Sequence, residues 1–403
     1  MPSLIFLNRF YWPDEPATAQ LLTDLAEALA EAGQPVVVIT SHNRRPETPD
    51  EETHRGVRIR RVRGTRVGEK NLPGRALDFL TFSFGALLRV ARTARRGDTL
   101  VLMTDPPLLG IAATALARGR GARVIHWVQD IYPEIAMALA GSPGLRLFRP
   151  LRDWAWRRAD FCVAPGDDMA ALIRARGAGN TVVIPNWAPA GLVPAAAEER
   201  REAWNLGGKF VVAYSGNLGR VHDLLPLLEA AAALREEAGI AFVFIGNGAQ
   251  RPALETAAKK RGLGNVRFFP PQPRERLGET LAVGDVHLVT LRPGCEQLVF
   301  PSKFHGIVAA GRPVLFVGPR NCALARLVGE HRLGLTFTRE EMAGLAAAIR
   351  SLRDDPAGLR ARGEAAARFH REAGGLERAI AAWQKILHAP AGPAESGPIS
   401  AAG

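Results

Sequence analysis

Short apolar runs, each followed by a loop and a stretch of helical period, recur along this chain, and that alternation allows few folds. Runs at 4–7, 36–40, 99–103, 124–130, 161–165 and 181–185 are spaced by segments such as 19–32, where Leu21, Leu22, Leu25 and Leu29 share a helical face before Gly33. Residues 55–62 alternate as one further strand. Apolar runs this short read as buried strands. A strand–helix–strand repeat calls for a parallel sheet covered by helices, an α/β architecture. The pattern lapses in a Pro/Ala-rich segment after Trp187 and restarts at Lys209, with runs at 210–214, 240–245, 266–269, 286–291 and 314–317. At 403 residues the chain exceeds one ordinary core. We therefore expect a first domain over 1–187, a linker over 188–208 and a second domain over 209–375. A terminal amphipathic helix over 376–388 and a disordered Pro/Gly/Ala/Ser-rich tail over 389–403 follow.

Composition narrows the class. Apolar residues make up 47% and charged residues 23%, as in globular proteins. Cys162, Cys295 and Cys322 lie far apart with no CxxC pair. That argues against a disulfide framework or a zinc site and fits a reducing cytoplasm. No signal peptide and no spanning helix is expected. The net charge of +12 is uneven: residues 44–96 hold fourteen Lys/Arg against six acids. Such a patch suits an anionic partner, but no RNA- or DNA-binding motif accompanies it. Within it, residues 77–95 read as a helix with Leu77, Phe79, Leu80, Phe82, Phe84, Leu87 and Leu88, and with Arg89, Arg92, Arg95 and Arg96 near its end. That helix either faces a core or lies on a membrane surface.

The chemistry-bearing residues gather at strand exits. The first loop lacks GxGxxG, so a dinucleotide site is not supported. In the second half, loops 215–220, 246–248 and 301–303 bring Gly216, Asn217, Gly219, Gly246, Asn247 and Gly248, with Arg220, Arg251 and Lys303 as cations. Glycine lets a backbone approach a ligand and aim N–H groups at it. Ser302 is placed to cap a helix that Gly311 ends and Pro313 blocks. A diphosphate would satisfy all three loops. In the first half, Gln129, Asp130 and Glu134 fall where a strand should end, the edge that lines the crevice of an open α/β sheet.

Gly216-Asn217-x-Gly219, Gly246-Asn247-Gly248, and Pro301-Ser302-Lys303 with Ala309-Ala310-Gly311-x-Pro313 resemble family 4 glycosyltransferases of the GT-B fold. The segment 128–134, with Gln129-Asp130-x-Tyr132-Pro133-Glu134, is similar to the bacterial surface-polysaccharide branch that includes colanic acid and amino-fucose transferases. The resemblance covers about residues 4–388. It implies two Rossmann-like domains facing across a cleft, with the last helix crossing back to the first. It implies retaining transfer of a sugar from a nucleoside-diphosphate sugar, without a metal or other cofactor. Catalysis would fall to Asp130, Arg220 and Lys303. Gly216, Asn217, Gly219, His222, Gly246, Asn247, Gly248, Arg251, Ser302, Lys303 and His305 would hold the donor. Tyr11, Trp12, Gln129 and Glu134 would serve the acceptor. The acceptor expected is a polyprenyl-diphosphate-linked saccharide, reached from the cytoplasm at the inner face of the cytoplasmic membrane, with 77–96 and the loop at Tyr11 and Trp12 meeting anionic lipid. The chain departs from the family pattern: Leu298 and Gly306 stand where two glutamates are common, and Glu296 is out of register. Asn217 and His222 take places often held by Arg and Lys, and Gln129 that of a His. No paired-carboxylate signature supports double displacement. Two rival readings share the architecture: a nucleotide-sugar epimerase, and a non-catalytic nucleotide-sugar-binding subunit.

Overall fold

The computed structural model describes residues 2–42, 48–65, 67–68, 72–141, 143–189, 192 and 196–390. Most of the tail expected over 389–403 lies outside them, as do Arg44, Arg45, Arg66 and Lys70 of the basic stretch. The chain forms two compact units. The first takes in residues up to Pro185, the short stretch Gln297–Phe300, and the chain from Leu376 on; the second takes in Asn186–Glu296 and Pro301–Gly375.

Among the described residues the first unit holds eight strands: β1 (Leu4–Leu7), β2 (Val36–Ser41), β3 (Glu51–His54), β4 (Val57–Val62), β5 (Thr99–Met103), β6 (Arg123–Trp127), β7 (Phe161–Ala164) and β8 (Thr181–Val183). Their order is β3-β4-β2-β1-β5-β6-β7-β8, parallel except for β3. The single strand expected over 55–62 is corrected to a hairpin. Arg55 and Gly56 both take positive φ, 45° and 80°, which turns β3 back on β4 as two-residue hairpins do. The polar β3 escaped notice because Glu51, Glu52 and His54 leave it no apolar face. Strand β6 ends at Trp127, three residues earlier than its apolar run. Helix Leu376–His388 belongs to this unit. Trp383 meets Trp127 edge-on at 5.0 Å, and Arg123 donates from Nη1 to Leu387 O at 2.7 Å.

Among its described residues the second unit holds one parallel sheet of six strands: β9 (Phe210–Ser215), β10 (Ile240–Ile245), β11 (Val266–Phe269), β12 (Val286–Thr290), β13 (Val314–Val317) and β14 (Gly334–Phe337), ordered β11-β10-β9-β12-β13-β14. Residues 198–208, expected in the linker, are packed here. Arg200 pairs with Glu279, and Arg201 pairs with Asp285. In both sheets the strand order reverses once: between β1 and β5, and between β9 and β12. Ligands of open α/β sheets bind outside the strand ends at such a reversal. No helix among the described residues is long and apolar enough to cross a membrane.

Candidate active site

At the reversal of the second sheet, β9 ends in Tyr214 and Ser215, and the loop beyond carries Gly216 to the buried His222. Opposite, β12 ends in Thr290, and helix Lys303–Ala309 follows. Lys303 Nζ lies 3.9 Å from the centre of the Tyr214 ring and donates to Tyr214 Oη. Tyr214 Oη donates in turn to Asn217 O at 3.0 Å. His222 Nδ1 bonds Thr290 O at 2.7 Å. A carbonyl only accepts, so Nδ1 carries the proton and Nε2 offers its lone pair. That lone pair faces Lys303 Nζ at 3.3 Å. Burial, then the charge of Lys303, lowers the His222 pKa to about 3, which keeps the ring neutral. Burial also pulls Lys303 well below the usual lysine value. A bound diphosphate would pull the value back up, because an opposite charge favours the ionised form.

The glycine loops serve this arrangement by close approach. A Cβ on Gly216 would stand 3.2 Å from Lys303 Cε, and one on Gly246 would stand 2.1 Å from Gly216 O. Gly248 packs equally tightly on the Leu218 backbone and the Asn217 side chain, and Gly219 lies against Asn217 Nδ2. Hydrogen bonds stitch the two loops together: Leu218 N donates to Asn247 O at 2.8 Å, and Gln250 Nε2 to His222 O at 2.8 Å. Gly246 also takes a φ of +138°. Gly246→Ala is therefore expected to cost about 2–3 kcal/mol of stability. Urea unfolding of the variant beside the parent measures it.

Of the expected donor residues, Arg251, Ser302 and His305 turn out otherwise, whereas Arg220 stays exposed. Arg220 is exposed on the loop and makes no ion pair among the described residues. Arg251 donates to Gly246 O at 2.7 Å, Phe269 O at 2.9 Å and Asn247 Oδ1 at 3.1 Å, and pairs with Glu255. It ties the ends of β10 and β11 together, and those donors are spent within the protein. Ser302 makes no side-chain cap bond, because its own backbone is already helical. His305 is buried against Phe304, and burial, then the His370 charge, lowers its pKa to about 3. It belongs to the packing under the helix.

At the reversal of the first sheet, Arg9 follows β1, Asp105 follows β5 and Asp130 follows β6. Asp130 N donates to Thr104 Oγ1 at 3.2 Å, and Asp130 bridges Val299 of the stretch Gln297–Phe300. Burial, then the charge of Asp105, raises the Asp130 pKa to about 7. Asp105 rises to about 6 through burial, with Arg9 pulling the other way. Two carboxyls are thus coupled here, although the sequence shows no carboxylate pair.

Of the other acceptor-side expectations, Glu134, Tyr11 and Gln129 need correction. Glu134 is only 8% exposed, and Arg152 takes both its oxygens, at 2.9 and 3.0 Å, with Arg149 at 3.0 Å. Against the upward pull of burial, the Arg152 and Arg149 guanidiniums hold its carboxyl below the usual range. Tyr11 is 1% exposed, and Gln129 is buried. Trp12 stacks on His54 at 3.7 Å. Tyr214, Thr290, Gln250, Arg9 and Asp105 were not foreseen. Their only sequence signal is position, at or just past a strand end. Among the described residues no group of three His, Cys, Asp or Glu could hold a metal ion.

Residues 18–187 match the family described as "Glycosyl transferase 4-like domain", and residues 196–370 match "Glycosyl transferases group 1". A Pseudomonas aeruginosa protein named as a glycosyltransferase, WbjE, is 29% identical over 293 residues, covering 70% of this chain and 73% of its own. An Escherichia coli K12 protein named for colanic acid biosynthesis as a glycosyl transferase, WcaI, is 26% identical over 324 residues, covering 75% and 79%. Among solved structures, Anabaena HepE in complex with UDP superposes with a TM-score of 0.73 at 14% identity, covering 96% of this chain and 99% of that one.

Proposed function

Since the chain belongs to the family 4 glycosyltransferases of GT-B fold, we propose that it moves a sugar, with retention, from a nucleoside-diphosphate sugar to a lipid-linked saccharide in surface-polysaccharide synthesis. The observation that carries this is Lys303, whose Nζ is held by Tyr214 and His222 beside the glycine loops at the strand reversal. The relative named for colanic acid biosynthesis and the neighbour crystallised with UDP support the substrate classes.

The chemistry follows from charge. As the bond from the sugar's anomeric carbon to the phosphate oxygen breaks, its electron pair leaves with the diphosphate. Lys303, the loop N–H groups and Arg220 on the same loop stabilise that developing charge. The acceptor oxygen forms the new bond on the face the diphosphate leaves, which keeps the configuration, and gives its proton to the Asp130 carboxylate, which later releases it to water. A base with a pKa near the working pH is efficient at this step.

Nucleoside diphosphate release across a panel of donors, with and without a polyprenyl-diphosphate-sugar acceptor, tests the reading. Release that depends on the acceptor, with product of unchanged anomeric configuration by NMR, is expected. Sugar interconversion without acceptor would indicate the epimerase. Donor binding with no turnover under any acceptor would indicate a binding subunit.

Membrane contact is part of the proposal. On helix Leu72–Thr93, Leu77, Leu80, Phe84 and Leu88 are exposed along one face, Leu80 by 68% and Phe84 by 73%. The face is narrower than the sequence suggested. Phe82 is buried, and Phe79 lies under the Arg9 guanidinium at 4.8 Å. Arg92, Arg95 and Arg96 are exposed near the helix end, which suits anionic lipid. Inserting two such side chains contributes roughly 3 kcal/mol. The double variant Leu80→Ser/Phe84→Ser should therefore bind anionic vesicles about 100-fold more weakly. Unchanged co-sedimentation would remove this helix from the contact.

A further inference from the structure

The exit of β5, Thr104-Asp105-Pro106-Pro107, carries a carboxyl that the mechanism above leaves unused. We propose that Asp105 is a positioning residue that keeps Asp130 able to accept a proton at neutral pH. The proposal rests on the reading of Asp130 as the acceptor-side base.

The placement comes from the sheet. Strands β1, β5 and β6 are adjacent and parallel, with Leu7 level with Leu102 and Met103 level with Trp127. Their exits therefore open side by side, and they carry Arg9, Asp105 and Asp130. The backbones are fixed. Arg9 N donates to Asp105 O at 2.8 Å. Arg9 O accepts from Thr40 Oγ1 at 3.0 Å and Ser41 Oγ at 2.8 Å. Asp130 is held through Thr104, the residue before Asp105, and through the bridge to Val299. The backbones that carry the two carboxyls are thus tied together beside the same strand ends.

The surrounding charges decide the order of ionisation. Arg9 is the cation facing Asp105, and Asp78 of helix Leu72–Thr93 faces Arg9 in turn. The Tyr132 phenol faces both carboxyls and is pushed up by burial and then by their charges. The stretch Gln297–Phe300 bonds Asp130 and Ile131 through the backbones of Val299 and Leu298. Asp105, nearer the cation, ionises first, and its negative charge then disfavours a second charge on Asp130. Like charges sharing a site separate their titrations in this way. An Asp130 without that neighbour would ionise at a lower pH, though burial would still hold it above the ordinary carboxyl value, and it would be a weaker base.

Asp105→Asn in the full chain tests this with two readouts. The carbon-13 titration of the Asp130 carboxyl, by NMR, is expected to fall by about one pH unit. The acid limb of kcat/KM should move down with it, while the donor KM stays unchanged. Asp105→Glu, which keeps the charge, should restore both. If the asparagine variant does not fold, Asp105→Ser should give the same shift. An Asp130 titration that does not move in the uncharged variants overturns the proposal. If the titration moves and the rate limb does not, Asp105 acts as proposed, and it is Asp130 that loses its role as base.

Discussion

Lys303→Ala is expected to lower kcat by about two to three orders of magnitude, the loss seen when one donor to a developing charge is removed. Two of the three ammonium hydrogens are already committed, to Tyr214 Oη and to His222 Nε2, and the ring of Tyr214 lies beneath the charge. The side chain is therefore held in place before any substrate arrives, and the third hydrogen remains for a phosphate oxygen. Nothing in this arrangement requires the lysine for folding. Its cation is costly where it is, as the lowered pKa records. Thermal unfolding of the alanine variant should accordingly match or exceed that of the parent. Donor affinity should also fall as pH rises through the lowered pKa of Lys303, because the neutral amine no longer attracts the diphosphate. Single-turnover rates and donor titration by calorimetry check both statements. A variant that turns over at the parental rate with saturating donor would show that the charge on the leaving group is met elsewhere.

Asp130→Asn is expected to reduce kcat/KM by about 10²- to 10⁴-fold, the range for removing a positioned base. The sign of the pH effect follows from the raised pKa of about 7. Below it the carboxyl is protonated and cannot accept, so the parent's kcat/KM should climb with pH toward a plateau above 7. The asparagine variant should lose that climb. Stability moves oppositely. A carboxyl whose pKa is higher folded than unfolded binds its proton more tightly in the native state. Its contribution is complete below the unfolded value and is lost as pH rises through the folded one. Asp130→Asn should therefore be more stable than the parent at pH 8, with the gap closing toward pH 4. A variant that loses both activity and stability at pH 8 would point to a structural carboxyl.

The strand pattern was readable because burial on both faces leaves a continuous apolar run, as in Val36–Ser41 and Ile240–Ile245. The loops that gather at the sheet edges were readable for the same reason, since parallel strands put every exit on one side. Partner choice was not readable. Arg251, Arg152 and Lys303 are all cations near strand exits. One binds carbonyls at the ends of β10 and β11, one neutralises Glu134, and one rests on Tyr214. Asp105 and Asp130 are far apart in sequence and meet only because β5 and β6 are neighbours. Nothing local distinguishes His222, which braces the lysine, from His305, which fills a helix contact. That difference depends on what the rest of the chain packs against each ring.

The contact between Trp127 and Trp383 sets a timetable for the first unit. The ribosome has to add 383 − 127 = 256 residues after the first tryptophan before the second exists. At translation speeds that is roughly 10–50 s. Throughout that interval the indole on β6 lacks that partner, while the entire second unit is made and can fold. Nascent chains should therefore depend on chaperones late in synthesis, and a stop codon just ahead of residue 376 should leave a first unit prone to aggregate beside a second that is sound.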